Sequence, residues 1–239
     1  MNSRLIAIRK KNAALEKESP YNFCDRWCER CTSEKQLRCK LYKDELERNM
    51  ICLGHGKDPD DHEMHKAILE EQFEQDMAGF EERLEEWGVD PNAFEDSGED
   101  PELEEIKKTD TYIKNHHLHE TTEQYRRKAH NFLKKTFYRE GTTPKELAYD
   151  FDTVAWYHTL LTVKLKRALA GFHEPPSEED YGLCDAVAQF EVCQKAVRES
   201  IQALSKIELA LPAHSVEIKT LLALLHNITS RIDAMVERI

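Results

Sequence analysis

The sequence predicts an all-α fold, an antiparallel helical bundle with a small N-terminal four-cysteine metal module. Three observations carry that expectation. Glycine and proline number only 8 each in 239 residues, so few positions punctuate the chain. Apolar residues recur at steps of three and four through most of its length, and no stretch keeps the two-residue alternation of a strand. Four cysteines, Cys24, Cys28, Cys31 and Cys39, fall within sixteen residues with the spacing C-x3-C-x2-C-x7-C, a density that packing does not require.

Taken in order, residues 3–18 form a first helix with Leu5, Ile8 and Leu15 on one side, ended by Ser19-Pro20. The cysteine stretch follows over about 21–42. Leu41, Tyr42, Leu46, Met50 and Leu53 mark a helix leading out of it, stopped at Gly54 and Gly56. Asp58-Pro59-Asp60-Asp61 reads as the next helix start, with Asp58 as N-cap and proline at the first position. That helix carries the seam Leu69, Phe73, Met77, Phe80, Leu84, Trp87 and a heavily acidic outer face, and Gly88 closes it. Residues 88–101 are a linker by composition. A single helix is expected from Pro101 to about Tyr138.

Thr143-Pro144-Lys145-Glu146 is a capping box with proline in the first turn. The helix it opens, to about Ala170, lines up Val154, Tyr157, Leu161, Leu165, Ala168 and Phe172, while Trp156, Leu160 and Val163 lie elsewhere around it. So wide an apolar surface predicts a central, mostly buried helix. Pro175-Pro176 breaks the chain, and a helix over about 178–210 gathers Leu183, Val187, Phe190, Val197, Ile201 and Leu204. After Leu211-Pro212 the last helix repeats Ile218, Leu222, Leu225, Ile228, Ile232, Met235 and Ile239, a coiled-coil-like seam that suits a bundle or a homodimer equally. The domains expected are a basic cysteine module (1–57), an acidic helix and linker (58–100) and a C-terminal helical bundle (101–239).

The net charge of −12 is concentrated. Residues 58–105 hold 20 acidic and 2 basic side chains, residues 1–57 hold 13 basic and 8 acidic, and the remainder is near balance. Phosphates would meet the acidic segment, which disfavours nucleic acid as a partner. The apolar runs, four residues near the start and Leu221–Leu225 near the end, fit neither a signal peptide nor a membrane span. A cytoplasmic protein is expected, in which seven cysteines serve as ligands or buried thiols and not as disulfides.

The chemistry is carried by a few clusters. Cys24, Cys28 and Cys31 are spaced so that one helical turn aims three sulfurs at one centre, and Cys39 closes the set. Thiolates suit zinc and iron alike. Zn²⁺ is the first expectation, as a structural ion whose excess negative charge is offset by Arg26, Arg30, Lys35, Arg38 and Lys40; a [4Fe–4S] cluster is the alternative. C-x3-C-x2-C also marks radical SAM enzymes, but their βα barrel needs strands and glycine-rich loops that this chain lacks. Cys52, His55, His62 and His65 are a second candidate metal set, with His62 and His65 expected to face inward. His116, His117, His119, Glu120 and Glu123 read as a solvated polar face, and the absence of any Glu-x-x-His argues against a di-iron bundle. On the central helix His158, Lys164 and Arg167 are candidate ligand-binding residues. Cations set between apolar positions need a carboxylate, such as Asp150, Asp152, Asp185 or Glu191, or an anionic ligand. Cys184 and Cys193 pack as small apolar residues.

Cys24-Asp-Arg-Trp-Cys28-Glu-Arg-Cys31 together with Trp156-Tyr157-His158 and Lys164…Arg167-Ala-Leu resembles an uncharacterised family of bacterial all-helical proteins. The resemblance covers two short stretches. It implies a bacterial, metal-binding protein and brings no known activity. The function expected is therefore that of a zinc-containing binding protein for a protein partner or a small anion, with a [4Fe–4S] redox protein or enzyme as the alternative.

Overall fold

A computed structural model of the chain describes residues 3–89, 101–139, 144–174 and 180–239. Among the described residues there are nine α-helices and no strand: α1 Ser3–Glu18, α2 Ser33–Arg38, α3 Lys40–Gly54, α4 His62–Glu86, α5 Pro101–Asn115, α6 His117–Thr136, α7 Ala148–His173, α8 Tyr181–Ala210 and α9 Ser215–Val236. The fold is all-α, and no described helix is long and apolar enough to cross a membrane. Contacts divide the chain into two units, Met1–Glu29 with Ile106–Ile239, and Arg30–Glu105.

The first unit is built around α7. Phe151, Val154, Tyr157, Leu161, Leu165, Ala168 and Leu169 are all fully buried or nearly so, and they lie on more than one face of the helix. Only a helix surrounded by others can bury so broad a surface. α8 runs along it, α6 packs on its other side, and α9 closes the ring by touching both α6 and α8. The α9 seam of Ile218, Leu225, Ile228, Ile232 and Met235 faces into this core. α1 lies on α8, burying Leu5 and Ile8 with Cys184, Val187 and Ile239. The Asn12 amide, buried on the same side of α1, donates to the Cys184 carbonyl at 2.8 Å. Residues 1–29 thus pack with the bundle, where the sequence pattern had placed the first domain boundary near 57.

α7 and α8 approach so closely near one end that a glycine is required. A Cβ at Gly171 would run into the Gly182 carbonyl oxygen, with that carbonyl carbon at 3.2 Å and the Ala186 nitrogen at 3.4 Å.

The second unit holds α2, α3 and α4. Gly56 (φ +68°) and Gly88 (φ +67°) adopt the left-handed conformation just beyond α3 and α4, as their role as helix stops requires. α4 starts later than Asp58-Pro59 suggests: Asp61 is the N-cap, its carboxylate accepting from the Met64 amide at 2.9 Å. Its seam is also rotated from expectation. Ile68 and Leu84 are buried, whereas Phe73 (65 % exposed) and Trp87 (67 %), with Leu69, Met77 and Phe80, are exposed.

The helix expected from Pro101 to Tyr138 is two helices. His116 takes an extended backbone (ψ 124°) and becomes the N-cap of α6, its ring Nδ1 accepting from the Leu118 amide at 3.2 Å. The local hydrogen bond replaces one helical bond and turns the chain, a role the sequence pattern does not distinguish from a solvated histidine. Thr143 of the capping box, the Pro175-Pro176 break and most of the 88–101 linker lie outside the described residues; α7 is preceded by a 3₁₀ turn over Lys145–Leu147.

Candidate functional site

The site is made by a loop from the beginning of the chain laid against α7. Residues 23–27, between 3₁₀ turns at Pro20–Asn22 and Cys28–Arg30, are not helical, and Arg26 sits at φ +54°, a conformation costly for a residue with a Cβ. What holds it is Asp25. Its backbone carbonyl accepts from Trp156 Nε1 at 2.9 Å, and its Oδ2 accepts from Tyr157 Oη and from Lys195 Nζ, each at 2.7 Å. The Tyr157 hydroxyl also lies 2.9 Å from Glu199 Oε2. Gln189 Nε2 donates to the Asn22 carbonyl at 2.9 Å. Trp27 stacks on Trp156 with ring centroids 5.3 Å apart and meets Tyr157 edge-on. Burial pushes the Asp25 carboxyl upward, but hydrogen bonds from Lys195 and Tyr157 and the Lys195 charge outweigh it and hold Asp25 below its ordinary value. Burial, then its hydrogen bonds to Asp25 and Glu199, keep the Tyr157 phenol protonated far above the usual tyrosine range.

Between this loop and α7 opens a cleft of about 390 Å³, lined by Arg26, Trp156, Leu160, Val163, Lys164 and Arg167 together with Ala155 and Thr159. The stripe Trp156, Leu160, Val163, Arg167 follows the 4, 3, 4 spacing of one helix face. This explains why these residues were left over when the buried face of α7 was traced.

Three cations meet here, and each is held differently. Arg167 forks onto Asp185, with Nε to Oδ2 and Nη2 to Oδ1 both at 2.7 Å; Asp185 also accepts from Gln189 at 2.9 Å, which ties this pair to the loop. Arg26 is exposed. Lys164 is only 4 % exposed, and its Nζ, shut off from solvent, has no hydrogen-bond partner among the described residues. Burial pulls the Lys164 ammonium below its ordinary value, and Arg26 and Arg167 press the same way.

The expected ligand-binding trio is brought together only in part. Lys164 and Arg167 line the cleft. His158 does not. It is buried on another side of α7, its Nδ1 2.7 Å from the Ala155 carbonyl and its ring stacked on His130 at 5.9 Å. His158 shares the helix face of Leu161 and Leu165, at steps of three and four, and those positions face the core. Arg26 and Asp25 were missed as parts of this site. They stand more than 120 residues from α7 in sequence, and Asp25, one of several carboxylates in the cysteine stretch, carries no local signal of its role.

The cysteines are distributed over both units. Cys24 and Cys28 flank Arg26 in the first; the Arg26 amide points at Cys24 Sγ (3.4 Å), and Cys28 Sγ lies 3.8 Å from the Arg26 carbonyl. Cys24 Sγ in turn lies 3.7 Å from the Tyr21 carbonyl oxygen. In the second unit, Cys31 precedes α2, and Cys39, buried, separates α2 from α3. Among the described residues no three His, Cys, Asp or Glu side chains stand close enough together to hold a metal ion. Of the second candidate set, Cys52 is buried, His55 and His62 are exposed, and His65 is half-buried, so His62 does not face inward. His116, His117, His119, Glu120 and Glu123 belong to the α5–α6 corner, where Glu123 pairs with Arg126 at 2.9 Å. Cys184 and Cys193 are buried, and burial pushes the Cys193 thiol up to about 12. No family model, curated protein or solved structure matches this chain.

Proposed function

We propose that the protein is a binding protein for a small anionic ligand, taken up in the cleft lined by Arg26, Lys164 and Arg167. The observation that supports this is the buried, unpartnered Nζ of Lys164. A buried amine without a partner costs about 1–3 kcal/mol, more when charged. A buried polar group without a partner calls for an explanation, and a bound ion is one. Arg167 already has Asp185, so the excess positive charge of the cleft belongs to Lys164 and Arg26, enough for one carboxylate or phosphate group.

Lys164→Met tests the reading in two directions at once. With the desolvation penalty removed, the variant is expected to melt higher than the parent by about 1–2 kcal/mol of stability. It is also expected to lose the rise in melting temperature that phosphate or acetate gives the parent at concentrations above Kd. Arg26→Gln, an exposed change, should weaken the ligand shift and leave the unliganded melting point alone. A Lys164→Met protein that melts lower, with an unaltered anion response, would show that the lysine serves the fold.

The second element of the proposal is a structural Zn²⁺ held by Cys24, Cys28, Cys31 and Cys39. Their spacing along the chain supports it. One zinc per chain by elemental analysis and no visible absorption are expected, and Cys28→Ser should lower metal content and melting temperature together. A broad visible band from anaerobically purified protein would instead identify a [4Fe–4S] protein, and unchanged metal content in Cys28→Ser would remove the site.

A further inference from the structure

The cleft is polarised along α7. Trp156 and Leu160 lie toward its N-terminal end, and Lys164 and Arg167 lie at the other. At 1.5 Å rise per residue, Trp156 and Arg167 are roughly 16 Å apart along the axis. Arg26, exposed, lines the same cleft from the loop side. Trp156 cannot swing away to make the apolar end polar, because its Nε1 is committed to the Asp25 carbonyl and one ring face to Trp27. Val163, 64 % exposed, joins the two ends and has no polar atom to offer. Inorganic phosphate or acetate would fill the cationic end alone and leave the rest of the 390 Å³ to water.

We propose that the ligand is an amphipathic anion, a carboxylate or phosphate head carrying a linear apolar tail, lying along α7 with its head at Arg26 and Arg167, above the buried Lys164 charge, and its tail over Val163, Leu160 and Trp156. This assignment rests on the anion reading of the same cleft and adds the tail. An apolar wall continuous with a cationic pocket separates two contributions to affinity. The head sets a constant term, and each methylene buried against the wall adds about a fourfold gain until the wall ends.

Titration calorimetry on the full chain with acetate, butanoate, hexanoate and octanoate, all below micelle-forming concentrations, reads both contributions. Affinity is expected to rise with each methylene, and octanol and octylammonium are expected not to compete with octanoate. Lys164→Met should weaken every member by one common factor and keep the chain-length dependence. Val163→Ser, at an exposed position that the fold does not need, should flatten the dependence and leave acetate unchanged. Octyl phosphate binding as octanoate does, with inorganic phosphate weaker, is expected if the head is recognised by charge alone. Equal affinities for acetate and octanoate would overturn the tail and leave the anion site standing. Octanol binding as tightly as octanoate would reduce the cleft to an apolar patch. Failure of every carboxylate and phosphate to bind would remove the anion site, and this assignment with it.

Discussion

The Gly171→Ala variant is expected to melt roughly 5–10 °C lower than the parent. The new methyl group would meet the Gly182 carbonyl oxygen, and behind it the carbonyl carbon and the Ala186 nitrogen. All are backbone atoms of α8, which cannot turn aside as a side chain can. Relief requires α7 and α8 to separate, and these two helices share the most extensive packing in the first unit. Overpacking of this kind costs about 1–3 kcal/mol, and for a chain of this size each kcal/mol moves the midpoint by about 2–4 °C. Gly182→Ala provides the comparison. Its methyl group would meet the Glu174 carboxylate, the free end of a side chain that can rotate away, and the Gly171 carbonyl oxygen at 3.0 Å, a looser backbone contact than the one at Gly171, so its effect should be smaller. Calorimetric melting of the two variants checks this, and equal losses would mean that the contact is as yielding on one side as on the other.

The Asp25→Ala variant is expected to lose both stability and ligand response. It removes the acceptor of the Tyr157 hydroxyl and of the Lys195 ammonium, two hydrogen bonds to a carboxylate that is itself nearly buried. Tyr157 keeps Glu199, and Lys195 reaches solvent, so the loss should be about 2–3 kcal/mol in urea unfolding and not the sum of two isolated deletions. The greater consequence is local. Arg26 holds a left-handed backbone next to Asp25, and without that anchor the loop relaxes and the cationic end of the cleft loses one of its three charges. The anion-induced rise in melting temperature should fall severalfold. Asp25→Asn, which keeps an acceptor for Tyr157 and gives up the Lys195 ion pair, should fall between the two. An Asp25→Ala protein with parental stability would show that the stacking of Trp27 on Trp156 is sufficient to seat the loop.

How much of this was legible in the sequence differs from element to element. α1, α8 and α9 follow from apolar periodicity and their proline stops, because a helix with one buried stripe writes that stripe at its own period. α3 was legible as a helix, but its expected seam is exposed at Leu41, Leu46, Met50 and Leu53, and Cys52 is the residue it buries. α7 was legible as central for the same reason: its apolar positions run around more than one face. The break at His116 was not, since a histidine that caps a helix by accepting one amide has the same letter as one in solvent. Nor was the exposed seam of α4, where burial depends on which neighbours reach the helix and not on its pattern. The pair Lys164 and Arg167 was singled out because cations between apolar positions need partners. Asp185 as the partner of Arg167 was among the expected carboxylates, while the absence of one for Lys164 could be seen only once the surrounding atoms were in place.

By itself, then, the sequence determined the all-α class, the central helix, the apolar seam of α9 though not what covers it, the crowding of four thiols into sixteen residues and the two cations of α7. These are properties of local spacing, which the chain states directly. Only the tertiary structure decided that His158 belongs to the core, that the loop at Asp25 and Arg26 is bound to α7 across some 130 residues of chain, and that Trp156, Leu160 and Val163 line a cleft whose cationic end includes a buried lysine without a partner. Those facts depend on which distant backbone groups are left to satisfy one another after the core has packed, and spacing along a sequence carries no record of that.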